Sequence, residues 1–181
     1  MLRGELTLLR ARAPEDIPVL HAELYEDVVM RVRADTRPWM PVPSGPASPF
    51  WVDPAAGEAL RSAGAAIFSV VELATDELAG EALLWSIDQY NRSAHLGISL
   101  RPAFRGRGLG ADVVRVLCRY GFAILGLHRL QLETLTDNHA MIKVATEAGF
   151  TQEGVTRGSG WVNGAFADCV IFGLLAAEFP Q

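Results

Sequence analysis

Apolar and polar residues alternate from Leu6 to Arg12, the mark of a strand with one buried face. Ala13-Pro14-Glu15-Asp16 then opens a helix predicted to run to about Val32, with acidic residues where the helix dipole favours them. From Arg33 to Pro54 the periodicity is broken by Pro38, Pro41, Pro43, Pro46, Pro49 and Pro54, interleaved with Trp39, Met40, Phe50 and Trp51. Proline removes a backbone donor, so this stretch reads as a loop or a very short helix. It is either a functional loop or a hydrophobic flap over the core. A second helix is predicted over Ala55 to Ala63. Strands follow at Ala66 to Leu73, Leu78 to Asp88 and Ala94 to Arg101, and their short connections make them an antiparallel meander.

The second half switches period. Val113, Val114, Leu117 and Ile124 against Asp112, Arg115 and Arg119 predict a helix from Gly110 to about Leu125. Arg129 to Leu135 reads as a strand. Asp137-Asn138 caps a helix from His139 to Ala148, which Gly149 closes. Two strands, Thr151 to Val162 and Phe166 to Leu175, flank Asn163-Gly164, a type I′ hairpin signal. The predicted order is β-α-α-β-β-β-α-β-α-β-β, with no internal repeat and no low-complexity linker.

Composition narrows the class. The 181 residues are 50% hydrophobic and 20% charged, which fits one packed domain over 1–181. A net charge of -5 argues against nucleic acid as the main partner, though a local basic pocket for a phosphorylated ligand stays open. Lys143 is the only lysine; the other basic residues are arginines, whose planar fork suits phosphate. Cys118 and Cys169 have no metal-ligand spacing and are expected as reduced core thiols. No metal is implied. The N-terminal stretch lacks an apolar signal core and no run is long enough to span a bilayer, so a cytoplasmic protein is expected.

The chemistry concentrates at Arg105-Gly-Arg-Gly-Leu-Gly110, between a strand and a helix. Glycines permit a tight turn and close approach to backbone N–H groups, and the helix start adds unpaired amides and partial positive charge. Together these suit a phosphate or pyrophosphate. A flexible connection would use the same letters. A dinucleotide fold is disfavoured because the G-x-G-x-x-G spacing is absent and the preceding strands are antiparallel. A phosphate-cleaving P-loop is excluded, since no Gly-Lys-Ser/Thr follows.

Arg105, Gly108 and Gly110, with Pro102 before them, resemble the pyrophosphate loop of the GNAT N-acetyltransferase superfamily. Leu127-His128-Arg129-Leu130, Asn138, Glu147-Ala148-Gly149-Phe150, Glu153-Gly154 and Asn163-Gly164 extend the likeness towards the RimJ/RimL subgroup, which acts on ribosomal-protein N-termini. The resemblance covers Ala66 to Phe179, and the first 65 residues by element order alone. It implies an α/β fold: a mixed, mostly antiparallel sheet of about seven strands with about four helices, splayed between the fourth and fifth strands.

The resemblance also implies an acyl-CoA-dependent N-acyltransferase using acetyl-CoA. Ile98, Ser99 and Leu100 are then expected to hold the pantetheine arm, and Arg105, Gly106, Arg107, Gly108, Leu109, Gly110 and Ala111 the pyrophosphate. Asn138 is expected at the cofactor arm or as a plain helix cap. Glu133, five residues before Asn138, is the expected general base, with Glu81 and His95 as rivals. Trp39, Trp51, Glu81 and Trp85 are candidate acceptor contacts. The serine or tyrosine that protonates the leaving thiolate in relatives is replaced here by Met141 and Ala145, neither of which donates a proton. Water or Tyr120 could serve, or the chain could bind acyl-CoA without catalysis. The acceptor is a small-molecule or peptide amine, the acyl group acetyl or a bulkier one such as succinyl. A homodimer is expected through a C-terminal edge at Val170-Ile171-Phe172.

Overall fold

The alternating segments become eight strands: β1 (Leu2–Arg3), β2 (Thr7–Arg10), β3 (Ala66–Glu72), β4 (Leu78–Asp88), β5 (Ser93–Leu100), β6 (Arg129–Leu135), β7 (Thr151–Val162) and β8 (Ala165–Leu175). The structure, a computed structural model, describes residues 1–35, 37–52 and 64–180. The helix expected over Ala55 to Ala63 therefore lies outside the described residues. The strands form one sheet in the order β1-β2-β3-β4-β5-β6-β8-β7. Neighbours are antiparallel except β5 and β6, which run parallel. The strand beyond the expected seven is β1, two residues long and too short to show a period.

Four helices are described: α1 (Asp16–Leu20), α2 (Val28–Ala34), α3 (Leu109–Arg119) and α4 (His139–Glu147). α1 passes into a π-turn over His21–Tyr25, and α3 into another over Tyr120–Ile124. The first helix was expected to be continuous to about Val32, and it is not. Asp27 leaves the helical region (φ -74, ψ 81) and its carboxylate accepts from the Met30 N–H, so it restarts the chain as the cap of α2. Helix also reaches Ala34, one residue past the expected start of the proline-rich loop.

One sheet face packs on α3 and α4, with Leu9, Val70, Leu84, Leu96, Leu130, Leu132 and Leu174 of the strands meeting Leu117 of α3 in one core. A smaller cluster on α1 joins Ile17, Leu20, Leu24, Tyr25 and Phe50, with Trp39 and Val42 of the proline-rich segment packed against it. The expected C-terminal edge needs correction. The hairpin folds back so that β8 lies between β6 and β7, which buries Val170 and Phe172 and half-buries Ile171. The true edge is β7, where Trp161 and Phe166 of the hairpin are exposed and meet edge-to-face at 4.9 Å.

Two buried carboxylates fasten helix starts to opposite faces of the sheet. Asp16, in the first turn of α1, takes both guanidinium nitrogens of Arg10 (2.6 and 2.8 Å), the Ser69 hydroxyl and the Ala13 N–H. Asp112, in the first turn of α3, accepts the N–H groups of Glu5, Leu6 and Thr7 at 2.9–3.0 Å and the Thr7 hydroxyl at 2.7 Å. The helical period puts Asp112 on the polar side; it is instead 2% exposed. Gly4 is required beside it, since a Cβ there would sit 2.2 Å from the Asp112 carboxylate. Burial pushes the Asp112 carboxyl up, but its hydrogen bonds with Thr7, Glu5 and Leu6 outweigh this and hold it below the usual range.

A carboxyl lowered in the fold stabilises above its unfolded pKa, about 3.9, and that contribution is lost as pH falls through the folded value. Asp112→Ala is expected to cost roughly 2–4 kcal/mol, because it strands buried donors. Urea unfolding at pH 7 measures this. The stability gap between wild type and Asp112→Asn should shrink as pH drops below about 4.

Candidate active site

β5 and β6 pair over only three positions, Ser93 with Arg129, Ala94 with Leu130 and His95 with Gln131. Past them the strands part. Leu96 to Leu100 remain paired with β4 alone, so one edge of this run has no strand partner among the described residues. This is the expected splay, and Ile98, Ser99 and Leu100 lie on it. Backbone donors and acceptors on such an edge suit an extended ligand that adds like a strand.

The chain leaves this edge through a 3₁₀ turn (Pro102–Phe104) and enters the glycine run. Gly106 (φ 72) and Gly108 (φ 81) adopt left-handed backbone, which explains glycine at both. Gly108 is the cap of α3, and no side chain closes the cap. The first-turn amides of Leu109, Gly110 and Ala111 are thus left for an anion. Gly110 faces the splay, with Ile98 Cδ1 and Val144 Cγ2 3.5 and 3.8 Å from where a Cβ would be. Arg105 Nε donates to the Leu100 carbonyl at 2.9 Å, tying loop to edge. Arg107 turns away: its guanidinium pairs with buried Glu72 at 2.8 Å and stacks on Phe104. Asn138 caps α4, accepting from Met141 N–H at 3.3 Å and donating to Thr134 Oγ1 at 2.9 Å.

The opposite sheet face carries the candidate acceptor groups. Register places Trp85 beside His95, Leu83 beside Gly97 and Glu81 beside Ser99. Trp85 and His95 stack with centroids 5.3 Å apart, and Gly97 leaves room for the indole, since a Cβ would lie 2.9 Å from Trp85 Cζ3. Glu81 pairs with Arg12 at 2.8 Å. The Arg12 side chain is only 2% exposed and also donates to the Phe50 and Phe68 carbonyls. Glu133 stands across the splay on β6, where Thr156 Oγ1 approaches it at 3.4 Å. It is exposed. Trp39 is half-buried, donating to the Tyr25 carbonyl, while Trp51 is exposed. No cluster of metal ligands occurs among the described residues.

With this geometry in place, the acetyltransferase (GNAT) domain family matches residues 6–151. The chain belongs to the GNAT acetyltransferase family. A Bacillus licheniformis protein named uncharacterized N-acetyltransferase p20 is 32% identical over 112 residues, 62% of this chain and 63% of that protein. A Vibrio cholerae spermidine N(1)-acetyltransferase is 29% identical over 110 residues, 61% of this chain and 64% of that protein. The matched segments thus span under two thirds of these relatives. The crystal structure of spermidine N-acetyltransferase from Vibrio cholerae in complex with CoA and spermine shares the fold, with a TM-score of 0.78, 21% identity and 97% and 98% of the two chains covered.

Tyr120, the candidate proton donor, lies away from the open edge of β5. Its ring packs edge-on against Phe68 of β3, two strands from β5, and burial pushes its phenol up. Met141 is half-buried and Ala145 fully so. Burial also pushes the Cys118 thiol up to about 12, in keeping with a core thiol. Sequence reasoning missed Arg12, because nothing in an alternating strand marks which arginine turns inward. Gly108→Asp is expected to place bulk and like charge at the α3 start and weaken CoA binding at least ~10-fold. Calorimetry on the folded variant reads this, and unchanged affinity would remove the loop from the cofactor site.

Proposed function

We propose that this chain is an acyl-CoA-dependent N-acyltransferase that moves acetyl from acetyl-CoA to a primary amine by direct attack in a ternary complex. The observation that carries the reading is the run Leu96 to Leu100, open on one edge and leading through Gly106 and Gly108 to the uncapped start of α3. The left-handed cap at Gly108, with no side chain across the amides, fits a pyrophosphate. Bound there, acyl-CoA supplies an acyl group activated as a thioester.

The chain's own residues do the rest. The amides from Arg105 to Ala111 hold the pyrophosphate, and the open edge at Ile98, Ser99 and Leu100 orients the pantetheine arm. An N–H on that edge polarises the acyl carbonyl. The amine enters from the other sheet face, over Trp85, Glu81 and Ser99, with Trp39 and Trp51 as further candidate contacts. Glu133 takes the ammonium proton, directly or through a water, so that the attacking nitrogen carries a free lone pair. With methionine and alanine at 141 and 145, water protonates the thiolate. Acceptors of the ribosomal N-terminal or polyamine class fall within this chemistry.

The missing proton donor also favours a second reading, an acyl-CoA-binding module without turnover. Mass detection of an acylated amine separates the two. Under the enzymatic reading, Glu133→Gln should lose ~10²–10⁴-fold in rate with CoA affinity intact. Its pH profile should lose the lower limb, and high pH should partly rescue it by supplying neutral amine. Near-wild-type turnover from about pH 6 to 9 would move the base elsewhere.

The same reading includes a homodimer built on the β7 edge and the exposed Trp161–Phe166 pair. Light scattering should give twice the 19.6 kDa chain mass. A Trp161→Glu, Phe166→Glu variant should revert to monomer.

A further inference from the structure

A chain of charges runs off the Arg12–Glu81 pair. The Phe50 ring carries the Arg12 guanidinium at 5.6 Å and the Arg31 guanidinium at 6.0 Å. Arg31 also stacks on Tyr25 at 5.3 Å and donates to Asp35 at 2.5 Å. Asp35 is then shared: Arg37 gives it Nε at 3.1 Å, Nη2 at 2.7 Å and its own backbone N–H at 2.9 Å. Burial pushes the Asp35 carboxyl up, but Arg37 and Arg31 outweigh this and keep it ionised.

Two guanidiniums therefore face one carboxylate, and a positive charge is left over. Arg31 uses one nitrogen on Asp35, and its Nε and Nη1 make no hydrogen bond among the described residues. Arg37 Nη1 is in the same position. Arg31 and Arg37 line a cavity of about 140 Å³ together with Tyr25, Pro38 and Pro49. The volume suits a single small group. Tyr25 in its lining donates its hydroxyl to the Met40 carbonyl, and Pro38 and Pro49 add stiff backbone.

We propose that this cavity binds an oxyanion, a carboxylate or phosphate, carried by the amine acceptor and held between Arg31 and Arg37. Arginine's planar fork matches both groups, and a nearly buried guanidinium with unused N–H groups gains most from such a partner. The buried Phe50 ring touches both Arg31 of this cavity and Arg12 of the Arg12–Glu81 pair, so an acceptor anchored here would have to reach round that ring to bring its amine to the sheet face. A polyamine, cationic along its length, would meet the surplus guanidinium instead. The proposal deepens the N-acyltransferase reading and rests on it for the amine.

Arg37 is 77% exposed on its side chain, so Arg37→Gln should fold normally, as its Tm will report. Calorimetry with glutarate and with inorganic phosphate, in the CoA-bound protein, should show binding that Arg37→Gln weakens roughly tenfold. The stronger probe identifies the anion. Alanyl-alanine and its C-terminal amide then serve as matched acceptors. The free acid should have a KM about tenfold lower, and Arg37→Gln should erase the difference by raising the acid's KM with kcat little changed. Equal KM values, a preference for spermidine over both, or anion binding indifferent to Arg37→Gln would overturn the proposal. If neither acceptor is acylated while glutarate or phosphate still binds through Arg37, the anion site stands and the acyltransfer reading falls.

Discussion

A parallel strand pair that stops after three residues organises this molecule. Strands in a sheet normally satisfy both edges, and a central strand with one bare edge leaves backbone groups without partners. The fold tolerates this because β5 is paired on its other side with β4 from His95 to Leu100, and because Ile98 and Leu100 pack against the core beneath. The gap between β5 and β6 is therefore a fixed feature with stiff walls. One face of it meets the start of α3, the other the row of Glu81, Ser99, Trp85 and His95. The gap is thus bordered by different groups on its two sides.

Stiffness on both sides has a common device. Asp112 and Asp16 each occupy the first turn of a helix, and each spends its oxygens on the sheet. Charge-assisted bonds of this kind are shorter and stronger than neutral ones, and here they are shielded from water. α3 cannot slide along the sheet without breaking the Asp112 bonds, so the amides at its start keep their position relative to the β5 edge. α1 is held likewise by Asp16, which fixes the platform on which Phe50, Tyr25 and the proline-rich segment pack.

Local signals made much of this legible in the sequence. Short turns gave the meander, Asn163-Gly164 the last hairpin, and the glycine run the loop whose Gly106 and Gly108 carry positive φ. What the sequence hid depends on distant partners. Asp112 reads as a surface residue in its own helix; only the Glu5 to Thr7 amides, more than 100 positions away, draw it inward. Arg12 and Glu81 are separated by 69 positions. The strand order β6-β8-β7, which buried the supposed edge, follows from where the hairpin packs rather than from the hairpin itself. The break at Asp27 was visible in principle as a capping residue, but a continuous apolar stripe on both sides masked it.

Gly97 carries a consequence for how the cleft can change. The indole of Trp85 rests over a backbone that offers only a hydrogen, so the depth of the sheet face at this point is set by the smallest possible side chain. A methyl group there would meet the outer atoms of a ring at the surface, and a ring can swing aside while the strand stays paired. Floor shape and strand integrity are thus separable at one position. A single substitution at Gly97 would reshape this face of the sheet, leaving the gap, the glycine loop and the carboxylate across from it untouched.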